Sequence, residues 1–208
     1  MKKPVTMIGG ERAALDPVNT FVEIDQVEGK EVDRVTKDPT VQAVDEPTFA
    51  KLIGSDFKNG IIEVTVLSKL LENAPDFARG FIGVAFRIDE SNSKFEGIYI
   101  RPTNGRADDQ LRRNRSTQYF SYPDFKFDRL RNESAGMYES YADMGLNEWI
   151  KIKIEVKGEK AKLYLNGNSQ PVLVVNDLKH GADGSGGIGL WVDVGTDGYF
   201  TDLRIENE

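Results

Sequence analysis

The run Trp149-Ile150-Lys151-Ile152-Lys153-Ile154-Glu155-Val156 decides the fold. Every second residue is apolar and β-branched, and the residues between are charged apart from Trp149. A repeat of two belongs to a strand with one buried and one solvated face; a helix would scatter these positions around its axis. Working outward, the pattern returns at Ile62, Val64 and Val66, at Ile82, Val84, Phe86 and Ile88, at Ile98 and Ile100, and at Ile188, Leu190 and Val192. Parallel sheets buried on both faces do not alternate in this way, so the strands are expected to be antiparallel.

Turn residues fall between these stretches. Asn59-Gly60 precedes a strand, Glu28-Gly29 turns a hairpin beginning at Phe21–Val27, and Gly158-Glu159 separates two strands. Asn166-Gly167 opens another link and Asp197-Gly198 is expected to join the last pair. Helical signal is limited to one turn near Glu11–Leu15 and another at Asn176–His180. Many short strands with few helices indicate an all-β sandwich or jelly roll. The exception is Pro102–Asn147, 46 residues with little alternation but rich in Arg, Asn, Asp, Tyr and Phe. An insertion of that length in a compact domain is usually functional or disordered. Its aromatics Tyr119, Phe120, Tyr122, Phe125, Phe127, Tyr138 and Tyr141 argue for order. The expected organisation is an extension over residues 1–20, then a single domain over 21–208 in which insertion 102–147 covers a cleft.

Composition excludes much chemistry. Among 208 residues there is no cysteine and a single histidine, His180, which removes disulfide frameworks, thiolate enzymes and zinc sites built from Cys and His. Net charge is −7, from 27 basic and 34 acidic residues, which argues against nucleic acid or a membrane surface as partner. Residues 1–10 lack the apolar run of roughly 7–15 residues that a secretory signal needs. The chain therefore reads as cytoplasmic, or as exported if a leader has been trimmed. Seven of the twelve arginines lie in residues 101–131, which sum to +4 and leave −11 for the rest. Arginine's planar fork favours carboxylate or phosphate. The alternative is a web in which these arginines pair Asp108, Asp109, Asp124, Asp128 and Glu133 to pin the insertion.

Several segments together resemble the concanavalin A-like lectin/glucanase superfamily. They are Asn59-Gly60-Ile61-Ile62-Glu63-Val64, Gly83-Val84-Ala85-Phe86-Arg87, Trp149 to Ile154, Tyr164-Leu165-Asn166-Gly167, and Gly187 to Trp191 with Tyr199 to Ile205. Laminin-G-like modules and domains related to 3-keto-disaccharide hydrolases read similarly, and Gly97 to Arg106 looks like small bacterial members of unknown function. The resemblance implies a two-sheet antiparallel jelly-roll sandwich with one concave outer face serving as a glycan cleft. Glu23-Ile24-Asp25-Gln26-Val27-Glu28 also resembles the carboxylate signature of laminarinase-type glucanases. Its place in an N-terminal hairpin, and Gln26 where that family has an apolar residue, favour a solvated edge hairpin instead.

If Ile82, Val84, Phe86, Ile88, Ile98 and Ile100 face the core, then Arg87, Tyr99, Arg101 and Trp191 face the opposite side. Gly83, Ala85 and Gly189 would leave room above that side. The expected ligand-binding set is therefore Arg87, Tyr99, Arg101 and Trp191 with Asn104, Arg106, Gln110, Arg112, Asn114, Gln118 and Tyr119 from the insertion. Flat aromatics stack on sugar CH faces and guanidinium forks bind hydroxyls or carboxylates. Carbohydrate, an acidic one included, is the expected partner, without nucleic acid or membrane. A glycoside hydrolase or lyase on the same cleft is the alternative. It would draw carboxyls from Glu63, Asp108, Asp109, Asp124 and Glu139, or use Tyr99 or Tyr119. A structural or partner-binding module is the third reading. No cofactor is required; Asp183, Asp193 and Asp197 offer oxygens for Ca²⁺ but lack EF-hand spacing, and turn roles explain them.

Overall fold

Strands form at each stretch of period-two alternation. In a computed structural model that describes residues 6–7 and 13–208, they assemble into two stacked antiparallel sheets. The first sheet runs, in order, β13 (Leu173–Val175), β12 (Lys160–Leu165), β11 (Trp149–Lys157), β6 (Gly60–Leu70), β15 (Thr196–Asn207), β4 (Lys30–Lys37) and β3 (Thr20–Val27). A short β1 (Thr6–Met7) pairs with β15. The second sheet runs β10 (Glu139–Ser140), β9 (Thr117–Tyr122), β8 (Phe95–Ile100), β7 (Ile82–Ile88), β14 (Gly187–Val192), β5 (Phe49–Leu52) and β2 (Leu15–Val18). Sequential strands repeatedly switch sheets, as in a jelly roll.

The deciding run behaves as its pattern requires. In β11, Ile150, Ile152, Ile154 and Val156 are buried, and Ile152 and Ile154 stand opposite Val64 and Ile62 of β6. Across the gap the second sheet contributes Val84, Leu190, Ala50, Ile98 and Tyr119, which share one face through their cross-strand pairing. Both layers belong to one continuous apolar core. The hairpin β3–β4 turns at Glu28 and Gly29, both with positive φ, the geometry of a two-residue type I′ turn. Glu23 in that hairpin is exposed and pairs with Arg34 at 3.1 Å, so the glucanase-like run lies on a solvated edge strand.

Three expectations change. The stretch 102–147 is not uniformly irregular: Thr117–Tyr122 is a full strand, β9, inside the second sheet, and short helices α1 (Gln110–Arg113) and α2 (Phe127–Glu133) flank it. Its alternation is invisible because both its faces are covered, so polar Gln118 and Ser121 are buried beside Tyr119 and Phe120. Asp197-Gly198 lies within β15, and the turn before that strand comes earlier, at Asp193–Gly195. Asn176–His180 is not helical. Its backbone is pinned by the buried Glu96, which accepts His180 N–H at 2.9 Å, and by Tyr119, whose hydroxyl accepts Lys179 N–H at 2.8 Å. The other expected turn, near Glu11–Leu15, lies partly outside the described residues, and Leu15 begins β2.

Candidate ligand-binding cavity

The outer face of the second sheet is filled, not open. Cross-strand register puts Phe49, Trp191, Tyr99, Phe95, Phe120 and Tyr122 on it, and all but Tyr122 are almost fully buried. Trp191 stacks on Tyr99 with centroids 4.7 Å apart, and Phe95 packs edge-on against both Phe49 and Phe120. The space expected above the small residues holds the protein's own rings. A Cβ on Gly189 would sit 2.9 Å from the Phe49 ring, and one on Gly97 would sit 2.3 Å from that of Phe120.

Two segments roof this aromatic layer. Trp191 Nε1 donates to Glu46 O at 2.9 Å, Lys126 Nζ donates to Val44 O at 3.0 Å, and Phe127 N–H donates to Asp45 Oδ2 at 2.8 Å. The roof stops short where β8 ends, leaving a cavity of about 250 Å³. Tyr99 and Arg101 line one side of it, Phe77, Arg79 and Phe81 another, Asn104, Arg112 and Arg115 a third, and Phe127 and Arg131 of α2 a fourth; Val44, Asp45 and Asp193 complete the wall.

Of the eleven residues expected to bind ligand, Tyr99, Arg101, Asn104 and Arg112 line this cavity. Gln118 lies behind it, holding Arg101 through a 3.0 Å bond. Trp191 supports it from below through Tyr99. Five others are displaced for identifiable reasons. Tyr119 faces the inter-sheet side and donates to buried Glu96 at 2.6 Å. Arg106 is turned outward by Asp143 and Glu148, at 2.8 and 3.1 Å. Gln110 and Asn114 bond each other at 2.7 Å on the exposed side of α1. Arg87 leaves the sheet face altogether.

The cause at Arg87 is a β-bulge. Gly187 pairs with Ile88 and Gly189 with Ala85, so three residues on β7 span two on β14. Arg87 takes the left-handed region at φ 54, and the in/out alternation slips there by one residue. Its guanidinium then ties loops together, donating to Lys58 O at 2.7 Å, Gly158 O at 2.8 Å and Gly181 O at 2.9 Å. Asn59 Oδ1, which accepts Gly158 N–H at 2.8 Å, joins the same loops, and Arg87 serves with it as a clamp at the end of the sandwich.

The insertion's arginines form a web, but not with the expected acids. Glu139 takes Arg131 and Arg101, Asp143 and Glu148 take Arg106, and only Arg129–Glu133, at 2.8 Å, was among the expected pairings. Arg101 is buried and fully engaged: it reaches Tyr99 Oη at 3.0 Å, Arg115 O at 3.1 Å and Glu139 Oε1 at 3.5 Å. Three cavity arginines differ. Among the described residues, Arg79 donates only to backbone carbonyls of Asp76 and Ala78, and the Arg112 side chain donates to Asn104 Oδ1 and Thr103. Arg115 comes no nearer a carboxylate than 3.9 Å, at Glu139. Burial, then the nearby Arg112 and Arg101 charges, push the Arg79 guanidinium below its ordinary value. Like charges are thus gathered here without full neutralisation.

The cavity's acids were not among the expected carboxyls. Asp193 Oδ1 binds Lys37 Nζ at 2.6 Å, and its Oδ2 accepts Asp45 N–H at 2.9 Å. Burial and then the Asp193 charge push the Asp45 carboxyl up to about 7, against opposing help from Phe127 N–H, Arg101 and Tyr99. Asp45 also sits at φ 52, a left-handed conformation that Asp tolerates better than most residues. Phe77, likewise unanticipated, is 57% exposed at the cavity's lip. Asp45, Phe77 and Arg79 come from loops 38–48 and 71–81, which carry no periodic signal and give a sequence reader nothing to seize on. Asp193 could have been found, because it follows Trp191 by two positions and so projects from the same face of that strand's end. Among the described residues, no group of three or more His, Cys, Asp or Glu side chains is arranged to hold a metal ion.

Neither the protein-family models nor the curated proteins match this chain. Solved structures do. A carbohydrate-binding module, CBM66 from Bacillus subtilis, superposes with a TM-score of 0.62 at 14% identity, covering 93% of this chain and 96% of its own. A Bacillus subtilis protein of unknown function with a galectin-like fold gives 0.52 at 13% identity, covering 91% and 87%. Together with the two-sheet topology, these likenesses show the fold to be a two-sheet antiparallel jelly roll, as the sequence resemblance implied.

Proposed function

We propose that this protein binds carbohydrate and that the arginine-lined cavity receives a single acidic sugar ring. The observation that carries this reading is the trio Arg79, Arg112 and Arg115 facing the cavity: among the described residues Arg79 and Arg112 have no ion pair with a carboxylate, and Arg115 has only a long one, 3.9 Å from Glu139. Guanidinium groups crowded together gain most from an anion that enters with its own hydrogen-bond acceptors. A volume of about 250 Å³ is smaller than the roughly 300–1,000 Å³ of pockets for drug-sized ligands and suits one ring. Phe77 at the lip offers an apolar face for stacking, while Asp45 and Asp193 offer oxygens to ring hydroxyls. The carbohydrate-binding module of the same fold adds weight to a sugar as the ligand class.

Glycoside cleavage is the second reading, favoured by the Asp45–Asp193 pair. Their 2.9 Å backbone-to-carboxylate bond keeps the two carboxyls within the roughly 10 Å that such chemistry spans. Against it, uncompensated arginines around the ring would raise the energy of the positive charge developing at the anomeric carbon. Burial of Tyr119, Phe120 and Tyr138 weighs against the partner-binding reading, although Tyr141 of the insertion stays exposed.

The test is a glycan array carrying neutral and uronate-bearing oligosaccharides, probed with the wild type and with Arg79→Ala. Retention of uronate-bearing glycans, lost in the variant, is expected. Binding confined to neutral glycans, or binding that Arg79→Ala leaves intact, would refute the acidic-sugar reading. Release of reducing ends from the arrayed sugars would favour cleavage.

A further inference from the structure

Asp45 is a buried carboxyl placed where a second negative charge, that of Asp193, is already fixed. Its carboxyl accepts Phe127 N–H from the start of α2, and the nearby Tyr99 hydroxyl of β8 favours its charged form. Asp193, from the turn after β14, holds the Asp45 backbone through the same carboxylate that pairs with Lys37 of β4. Arg101, just beyond β8, is the cation that acts on Asp45 across the cavity. On Asp45's own segment, Glu46 is occupied by Lys126. Of the remaining charges on the wall, Arg131 is held by Glu139, and Arg79, Arg112 and Arg115 are those an entering anion would engage.

We propose that an anionic ligand enters this cavity together with a proton, carried by the Asp45 carboxyl, so that the site releases its ligand as the medium turns alkaline. The inference rests on the acidic-sugar reading of the cavity. The ligand adds a third negative charge to the space holding Asp45 and Asp193, and Arg101, the cation that acts on Asp45, is already engaged by Gln118 and Glu139. A like charge within about 4–6 Å raises the proton affinity of a carboxyl by roughly tenfold or more. With Asp45 already poised at about 7, that rise falls in the range where the proton is taken from solution. Protonated Asp45 then presents an O–H as well as an acceptor, which a ring hydroxyl can use.

The experiment is calorimetric titration of the full chain with galacturonate and glucuronate at pH 5, 7 and 8, in paired buffers of different ionisation heat. These probes remain ionised throughout, so they release no proton of their own. Uptake of about half a proton is expected at pH 7 and close to none at pH 5, with affinity falling by up to about tenfold per pH unit above 7. In Asp45→Asn, which keeps the acceptor for Phe127 N–H but cannot titrate, uptake should vanish and affinity should stop depending on pH. Thermal melting confirms that the variant is folded. Binding without proton uptake in the wild type overturns the proposal while leaving the acidic-sugar reading standing. Uptake that persists in Asp45→Asn overturns it too, since the proton would reside elsewhere. Absence of binding by either uronate at every pH overturns both.

Discussion

Replacing Asp45 by Asn should stabilise the free protein, and by an amount that depends on pH. The carboxyl titrates at 3.8 in an ordinary setting and at about 7 in the fold. Between those values the folded chain holds a proton that the unfolded chain has lost, so stability falls as pH rises through this interval. Below about pH 4 both states are protonated and the group contributes nothing. Above about 7 the penalty is complete; at about 1.36 kcal/mol for each tenfold change in proton affinity, it amounts to about 4 kcal/mol. Domains of this kind retain only about 5–15 kcal/mol in total, so the effect is large. Asn is close in shape, tolerates the left-handed φ of 52, and can still accept the Phe127 N–H at this position. Urea unfolding of both proteins at pH 4 and pH 8 measures the difference. The gap should grow from near zero to several kcal/mol, with the denaturant slope unchanged. An equal gap at the two pH values, or a variant less stable than wild type at pH 8, would refute the account of Asp45 as a carboxyl held neutral by burial and Asp193.

Other outcomes follow from the same structure. Phe77→Ala should leave the melting temperature untouched, because the ring is exposed, and should weaken uronate binding by about 1 kcal/mol in a titration. Glu139→Gln should lower stability by about 3–5 kcal/mol in denaturant melts, since it strips the buried Arg101 and the partly buried Arg131 of their shared carboxylate. Arg87→Lys should cost about 2 kcal/mol, because one ammonium cannot reach the carbonyls of Lys58, Gly158 and Gly181 together; uronate affinity measured alongside should not change.

How far the sequence could be read depended on which faces meet water. β11 and β6 of the first sheet have one solvated face, and there the alternation of Ile150–Val156 with lysines and glutamates was legible residue by residue. The second sheet is covered on both sides, by the core and by its aromatic roof, so β9 carries Gln118 and Ser121 as deeply as Tyr119 and Phe120. Period two then has nothing to report, and the strand was read as part of an irregular insertion. The facing of Tyr99, Arg101 and Trp191 was correctly inferred because β8 and β14 are regular up to those positions. Facing failed at Arg87 because a bulge changes parity without leaving a mark in residue type. Gly83, Ala85 and Gly189 were read as room for a sugar, but small residues signal only that something approaches closely. Here that something is the Phe49 ring at Gly189 and the neighbouring strand, at Ile98 and Tyr99, at Gly83.

The arginine cluster shows why counting charges along the chain locates such a site only approximately. Residues 101–131 sum to +4, yet much of that surplus is spent locally: Arg106 lies between Asp143 and Glu148, Arg129 meets Glu133, and Arg131 shares Glu139 with Arg101. What remains positive at the cavity is Arg112 and Arg115 together with Arg79, which the linear count assigned to the acidic remainder of the chain. The acids of the cavity, Asp45 and Asp193, come from that remainder as well, and the cation paired with Asp193, Lys37, belongs to the opposite sheet. An anion site in this fold is therefore defined by which guanidinium groups fail to find a carboxylate after the chain has folded. That is a property of the tertiary pairing, and it explains why the region that looked most basic in sequence contributes only part of the proposed binding surface.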